Sequence, residues 1–221
     1  MAEYDIAIIG GGPGGYVAAI RAAQLGQRVV LVEKERVGGL CLNWGCIPSK
    51  ALLWNAEVVS LVRDAATYGI AFDNVTYDMA KAIDRSRQIV DQMVKGVEFL
   101  LNKNKVTVIA GEAAFESPKR LRVKGVDEPI DAKHVIIATG ARPRTLPGLA
   151  TDGAAIIGSR EALALRERPE RAVIVGGGPI GCEFATFWRA YGVDVTIVEM
   201  LNHLLPLEDE EISAQVERAF K

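Results

Sequence analysis

Tyr4-Asp5-Ile6-Ala7-Ile8-Ile9-Gly10-Gly11-Gly12-Pro13-Gly14-Gly15 decides the fold. Residues 4–9 are apolar almost throughout, the pattern of a parallel strand buried on both faces. They run into Gly10-x-Gly12-x-x-Gly15. A helix is expected next, over Tyr16 to Leu25, with Ala18, Ala19, Ala22 and Ala23 small enough for close packing on a sheet and Gly26 as its stop. Arg28 to Glu33 reads as the second strand, and Glu33 closes it 18 positions after Gly15. Three spaced glycines alone carry little weight. Strand, glycines, alanine-rich helix, strand and terminal acid in this order describe a dinucleotide-binding unit. The glycines permit a tight turn and let the backbone approach a pyrophosphate at the helix N-terminus. Glu33 can accept hydrogen bonds from ribose hydroxyls.

The pattern returns about 166 positions later. Arg171 to Val175 is a strand, Gly176-x-Gly178-x-x-Gly181 follows, and a helix is expected to run to Tyr191, where Gly192 stops it. Val193 to Glu199 is the paired strand, again ending in an acid 18 positions after the last glycine. Two dinucleotide fingerprints in one chain imply electron transfer between two dinucleotides. The expected fold class is α/β, with two Rossmann-like units built on parallel sheets. Residues 1–148 form the first unit and residues 149–221 the beginning of the second, with a Pro- and Gly-rich linker over Pro143 to Gly153. Residues 51–104 are helical in pattern, broken around Gly69 to Thr76. Val106 to Ala110, Glu112 to Phe115 and Arg120 to Val126 read as a small antiparallel meander, and Val135 to Ala138 as a further strand preceded by His134.

Between the first strand pair and the long helices lies Gly39-Leu40-Cys41-Leu42-Asn43-Trp44-Gly45-Cys46-Ile47-Pro48-Ser49-Lys50. A helix is expected to begin right after Cys46, with Pro48 in its first turn, where a missing N–H costs nothing. Cys46 then sits near a helix N-terminus, whose dipole favours a thiolate. Lys50, one turn on, adds positive charge. Two thiols so placed can form a redox pair. By spacing alone a structural disulfide or two core thiols stay open, although a bridge closing so short a loop stabilises by only about 2 kcal/mol in the chain-entropy model.

Composition narrows the setting. The chain has 221 residues, a net charge of −2 and three cysteines, Cys41, Cys46 and Cys182. Near-neutral charge gives no reason to expect nucleic acid or an acidic membrane as partner. Three cysteines make no disulfide framework. The N-terminal residues lack the basic region of a signal peptide, and no apolar stretch approaches the roughly 20 residues of a membrane span. A soluble protein of a reducing compartment is expected, cytoplasmic or of the mitochondrial matrix, where a cysteine pair is more often catalytic than structural. No metal site is expected. Cys182 reads as a small buried residue, and His203 as an exposed loop residue.

The order of fingerprint, Cys-x-x-x-x-Cys, Thr139-Gly140-Ala141 at a strand end and second fingerprint resembles the flavin-dependent pyridine nucleotide–disulfide oxidoreductases over the whole chain. The cysteine motif most resembles members that oxidise dihydrolipoyl groups; it departs at Trp44, where a smaller apolar residue is commoner. The resemblance implies that Gly10, Gly12, Gly15 and Glu33 hold the ADP half of FAD, with Lys50, Gly111, Thr139, Gly140 and Ala141 at other flavin contacts. It implies that Cys41 exchanges with the substrate dithiol and that Cys46 carries electrons to the flavin as a thiolate. Gly176, Gly178, Gly181, Glu183 and Glu199 would hold NAD, and Glu183 would pair with Lys50 near the flavin; the plain alternative for those two is an ordinary surface ion pair. The implied partners are a lipoyl-domain protein of a 2-oxo acid dehydrogenase or glycine cleavage complex and a second subunit. Members of the family are about twice as long, in keeping with three domains. The chain is therefore expected to be an N-terminal fragment without the dimer-interface domain, whose His–Glu pair is the general base, and to be inactive alone. Glutathione- or mercuric-reductase-like enzymes and a non-catalytic nucleotide-binding module are the competing expectations.

Overall fold

The computed structural model describes residues 3–144 and 146–221. Met1 and Ala2, at the start of the expected leaderless N-terminus, and Thr145, in the expected linker, lie outside the described residues. The chain divides into two compact units, one running through Pro48 and resuming from Gln88 to Gly148, the other Ser49–Arg87 with Leu149–Lys221. Residues 49–87 thus group with the later part of the chain.

In the first unit, β1 (Tyr4–Ile9), α1 (Pro13–Gln24) and β2 (Val29–Glu33) are followed by α2 (Gly39–Trp44) and the first turn of α3 (Cys46–Arg63). The chain returns along the later turns of α4 (Met79–Lys103) into β3 (Thr107–Ala110), β4 (Ala113–Ser117), β5 (Arg120–Val123) and β6 (Ile130–Ile137). These strands make one sheet of order β3-β2-β1-β6-β5-β4. β1 lies in parallel register between β2 and β6, with Ile8 opposite both Leu31 and Ile136. Ala7, Ile8, Val30 and Leu31 are fully buried, as their continuous apolar runs require. One core layer joins Ile8, Leu31, Val90, Val94 and Leu101 on the α4 side. The other joins Ala7, Val30, Val32, Leu121, Val123 and Ile130.

Several expectations are corrected here. Thr107–Ala110 does not belong to the meander; β3 pairs parallel with β2. It follows a long helical crossover, and a strand so connected returns parallel. Gly111, with φ +152°, then turns the chain away and donates its N–H to the Glu33 carbonyl at 2.9 Å, so Gly111-Glu112 is no hairpin turn. The meander consists of β4, β5 and the start of β6, where Ile130 and Asp131 pair antiparallel with Leu121 and Arg120 before Ala132 onward turns to β1. His134 therefore lies inside β6, opposite Ile6, and not ahead of a strand.

The second unit carries α5 (Ser159–Ala162), β7 (Arg171–Val175), α6 (Pro179–Ala190), β8 (Asp194–Val198) and α7 (Glu210–Phe220) together with the later turns of α3 and the first turns of α4. β7 and β8 pair in parallel, Ile174 opposite Ile197. Leu52, Ala56, Val59, Met79 and Ile83 pack with Leu163, Phe187, Trp188, Tyr191 and Val193 in one core. The helical break expected near Gly69 holds a 3-10 turn over Ala65–Tyr68, and α4 starts at Met79, just after Asp78 accepts the Lys81 N–H.

Candidate dinucleotide and redox-cysteine site

The glycine loop of the first unit is shaped by what it cannot hold. A Cβ on Gly15 would stand 1.8 Å from the Gly10 carbonyl oxygen, and one on Gly10 would stand 2.2 Å from that of Ala138. The loop backbone therefore packs directly on itself and on Ala138, just past the end of β6. β2 lies on one side of β1 and β6 on the other, so this is the switch point of the sheet, where α/β folds bind ligands. Gly12 caps α1 with no side-chain hydrogen bond, Pro13 occupies the first turn, and no acidic residue stands there. Pro13 has no N–H and the Gly15 N–H goes to the Gly12 carbonyl at 2.9 Å, so it is the bare positive end of α1, with no side chain or acid over it, that fits the pyrophosphate of a dinucleotide. Glu33 turns back over the loop and accepts the Gly11 N–H at 2.6 Å and the Glu35 N–H at 2.8 Å. A carboxylate has about four acceptor positions, so two remain for ribose hydroxyls. Gly111 adjoins Glu33 through the backbone, and Thr139, Gly140 and Ala141 follow β6 on the exposed rim, Gly140 with φ +72°. The bare end of α1 and the back-turned Glu33 fit the pyrophosphate and ribose of FAD, the group the resemblance implies.

The cysteine segment is fastened to this loop. The Gly38 N–H donates to the Gly11 carbonyl at 2.8 Å, and the Gly39 backbone lies so close that a Cβ there would be 2.6 Å from the Gly12 Cα. Cys41 sits in α2, half-buried, and Cys46 is the exposed first residue of α3. The helix thus begins at Cys46 itself, and a second short helix carries Cys41, which spacing did not foretell. Gly45 makes the break (φ −144°, ψ −117°), with its missing Cβ 3.0 Å from the Leu40 carbonyl oxygen. Asn43 is a residue the sequence reading passed over. It is 5% exposed, and its amide donates to the carbonyls of Val37 at 3.1 Å and Gly39 at 3.0 Å, fixing the entry to α2. An amide within Leu42-Asn43-Trp44 was the available signal, since a buried polar group needs partners.

The second unit repeats the first loop's geometry. A Cβ on Gly181 would stand 2.0 Å from the Gly176 oxygen. Gly178 caps α6 without a side-chain bond, and Pro179 follows. Glu199 accepts the Gly177 N–H at 2.7 Å and the Leu201 N–H at 2.8 Å. The Leu201 and Gly177 amides hold this carboxyl below the usual carboxylate range. Lys50 and Glu183 come together as an ion pair, the lysine side chain 62% and the glutamate 27% exposed. Cys182 is buried, with its thiol on the Gly177 carbonyl at 3.4 Å, and burial pushes its pKa up. It is a buried packing residue, as expected. His203 departs from expectation: it is half-buried, and its Nδ1 faces the Leu204 carbonyl at 3.0 Å. Among the described residues no three His, Cys, Asp or Glu side chains are grouped to hold a metal, and no helix is long and apolar enough to cross a membrane.

Comparison with known proteins bears on the same residues. The family model described as pyridine nucleotide-disulphide oxidoreductase matches residues 4–221. The chain is 48% identical over 223 residues to a dihydrolipoyl dehydrogenase of Chlorobaculum parvum, covering 100% of this chain and 48% of that one. It is 46% identical over 230 residues to the dihydrolipoyl dehydrogenase of Bacillus subtilis, covering 99% and 48%. A solved structure, the HOCl-induced flavoprotein disulfide reductase RclA from Escherichia coli, superposes with a TM-score of 0.83 at 32% identity, over 98% of this chain and 47% of that one. The chain spans about half the length of the curated relatives it matches. With two fingerprints, a cysteine pair tied to the first, and a family match over residues 4–221, the chain belongs to the pyridine nucleotide-disulphide oxidoreductases.

Proposed function

We propose that the protein bearing this sequence oxidises dihydrolipoyl groups to lipoyl, with electrons passing through Cys41 and Cys46 and FAD to NAD. The observation that carries this reading is the 2.8 Å bond from Gly38 N–H to the Gly11 carbonyl, which fastens the two-thiol segment to the first glycine loop. It is supported by the similarity to two proteins named dihydrolipoyl dehydrogenase, at 48% and 46% identity.

In the oxidised protein Cys41 and Cys46 share a disulfide. A thiolate of the substrate attacks the Cys41 sulfur, the S–S bond breaks, and Cys46 leaves as a thiolate at the N-terminus of α3, where the helix dipole favours negative charge. The substrate's second thiol loses its proton and displaces Cys41, closing the lipoyl disulfide. The chain's pair is then a dithiol, two electrons richer. Bound FAD supplies the two-electron transfer from that dithiol to NAD. The uncapped turns at Gly12 and Gly178 would hold the two pyrophosphates, and Glu33 and Glu199 the riboses.

Proton removal from the substrate needs a base. His134 lies exposed within β6, and the His203 ring is turned to the Leu204 carbonyl, so neither is suited. The base is proposed to come from a partner subunit, and residues 1–221 alone are proposed to be inactive. The substrate is a lipoyl-domain protein of a 2-oxo acid dehydrogenase or glycine cleavage complex, the assembly a homodimer, and the setting the cytoplasm or mitochondrial matrix. The test is turnover of dihydrolipoamide with NAD by the complete native polypeptide, set against glutathione disulfide or mercuric ion with NADPH. Preference for either of the latter would replace this reading with another flavin disulfide reductase.

A further inference from the structure

The glycine between the first two fingerprint glycines, Gly11 in one unit and Gly177 in the other, is held from two sides. Its N–H is taken by the acid ending the second strand: Gly11 to Glu33 at 2.6 Å, Gly177 to Glu199 at 2.7 Å. Its carbonyl accepts an N–H from the loop that follows that strand: Gly38 in the first unit, Leu205 in the second, both at 2.8 Å. Both donors have positive φ, +100° at Gly38 and +50° at Leu205. Glycine adopts such a backbone freely, whereas a branched side chain resists it. Among the described residues only Asn74, Lys105 and Leu205 combine a side chain with positive φ, and Leu205 alone of them is apolar.

The Leu205 carbonyl is held locally by the Glu208 N–H at 2.9 Å, and α7 adds side-chain bonds to the same segment. The Ser213 hydroxyl, on a residue with no exposed surface, donates to the Leu205 carbonyl at 3.1 Å. One helical turn on, Glu217 accepts the Leu204 N–H at 3.1 Å. These two residues lie four apart and so share a helix face. The Leu204 side chain meanwhile covers Gly177, with its Cδ2 2.6 Å from where a Cβ on that glycine would stand.

We propose that Leu205 is a positioning residue for nicotinamide dinucleotide. Ser213 and Glu217 lock its left-handed backbone, and its N–H fixes Gly177 and hence the start of α6 that faces the pyrophosphate. The proposal rests on reading the second fingerprint as the NAD site. In the first unit a glycine makes the same bond without needing such a lock.

The test uses the complete native polypeptide with FAD bound and measures the Kd for NAD, the bound flavin and the melting temperature. Ser213→Ala is expected to weaken NAD binding about fivefold, the effect of one lost hydrogen bond, with flavin content unchanged. Leu205→Gly in that background is expected to restore NAD affinity to within about twofold of wild type, because glycine keeps the N–H and no longer needs the lock. Unchanged affinity in Ser213→Ala, or loss that Leu205→Gly does not repair, overturns the proposal. A lowered melting temperature without a change in Kd does so too, since it marks Ser213 as structural only. If Ser213→Ala does not fold, Glu217→Ala with and without Leu205→Gly is read by the same criteria. Wild-type protein that does not bind NAD would instead overturn the reading of the second fingerprint.

Discussion

Glu199 accepts the Gly177 N–H at 2.7 Å, which turns the carboxylate that ends β8 back over its glycine loop. The Leu201 N–H, at 2.8 Å, occupies its other oxygen, and the two amides hold the carboxyl below the usual carboxylate range. A ribose 2′-hydroxyl can donate to the acceptor positions left over, but a 2′-phosphate meets like charge. The loop Met200 to Leu207 contains no Arg or Lys to offset it. NAD is expected to be used with kcat/KM about 100-fold above NADP. Equal efficiency with both would contradict this assignment.

The two fingerprints are separable by mutation. A methyl group on Gly15 would enter the Gly10 carbonyl, and one on Gly181 that of Gly176. Gly15→Ala is expected to yield protein that has lost bound flavin. Gly181→Ala should keep its flavin and raise KM for NAD about tenfold or more, about 1.4 kcal/mol in binding. Flavin absorbance after gel filtration and NAD saturation curves distinguish the two.

Lys50 and Glu183 test whether an exposed ion pair has a chemical role. At 62% and 27% side-chain exposure, the pair should contribute at most about 1 kcal/mol to stability. Glu183→Gln is expected to leave the melting temperature almost unchanged while turnover falls about tenfold. Turnover that follows the melting temperature, or does not change, would mark an ordinary surface pair.

Asp5 supplies a stability signal with a definite sign. The Lys133 ammonium at 2.7 Å, together with the Arg28 N–H at 2.8 Å, holds its carboxyl below the usual range. A carboxyl with a lowered folded-state pKa contributes stability above its unfolded value, about 3.9, and loses it as pH falls through the folded value. Asp5→Asn should therefore melt lower than wild type at pH 7, and the gap should close below about pH 4. A gap independent of pH would mean that the ion pair is not its cause.

Periodicity and glycine spacing made both strand–helix–strand units legible, because fully buried strands such as Val29–Val32 need unbroken apolar runs. The Lys50–Glu183 contact, 133 positions apart, was legible only through the family resemblance. β3 was misplaced because its four residues carry no signal of direction; the crossover before it decides that. α2 was missed because six residues around Cys41 are too few to show a helical period, and the break at Gly45 depends on contact with Leu40. Leu205 was beyond reach, since a leucine with positive φ rests on hydrogen bonds to residues 28 positions back and 8 ahead as well as on a local one to Glu208.

The central claim is that Cys41 and Cys46 form the dithiol that passes electrons to the flavin. It is tested most directly by anaerobic titration of the complete flavin-bound protein with dihydrolipoamide, wild type beside Cys46→Ser, followed by absorbance and by NAD-dependent turnover. Wild type is expected to take up two electrons per subunit (about one dihydrolipoamide each) and to show long-wavelength thiolate-to-flavin absorbance. Cys46→Ser is expected to lack that absorbance and to lose at least about a thousandfold in turnover, about 4 kcal/mol in barrier. Near-normal turnover, or the same absorbance, in Cys46→Ser would contradict the account.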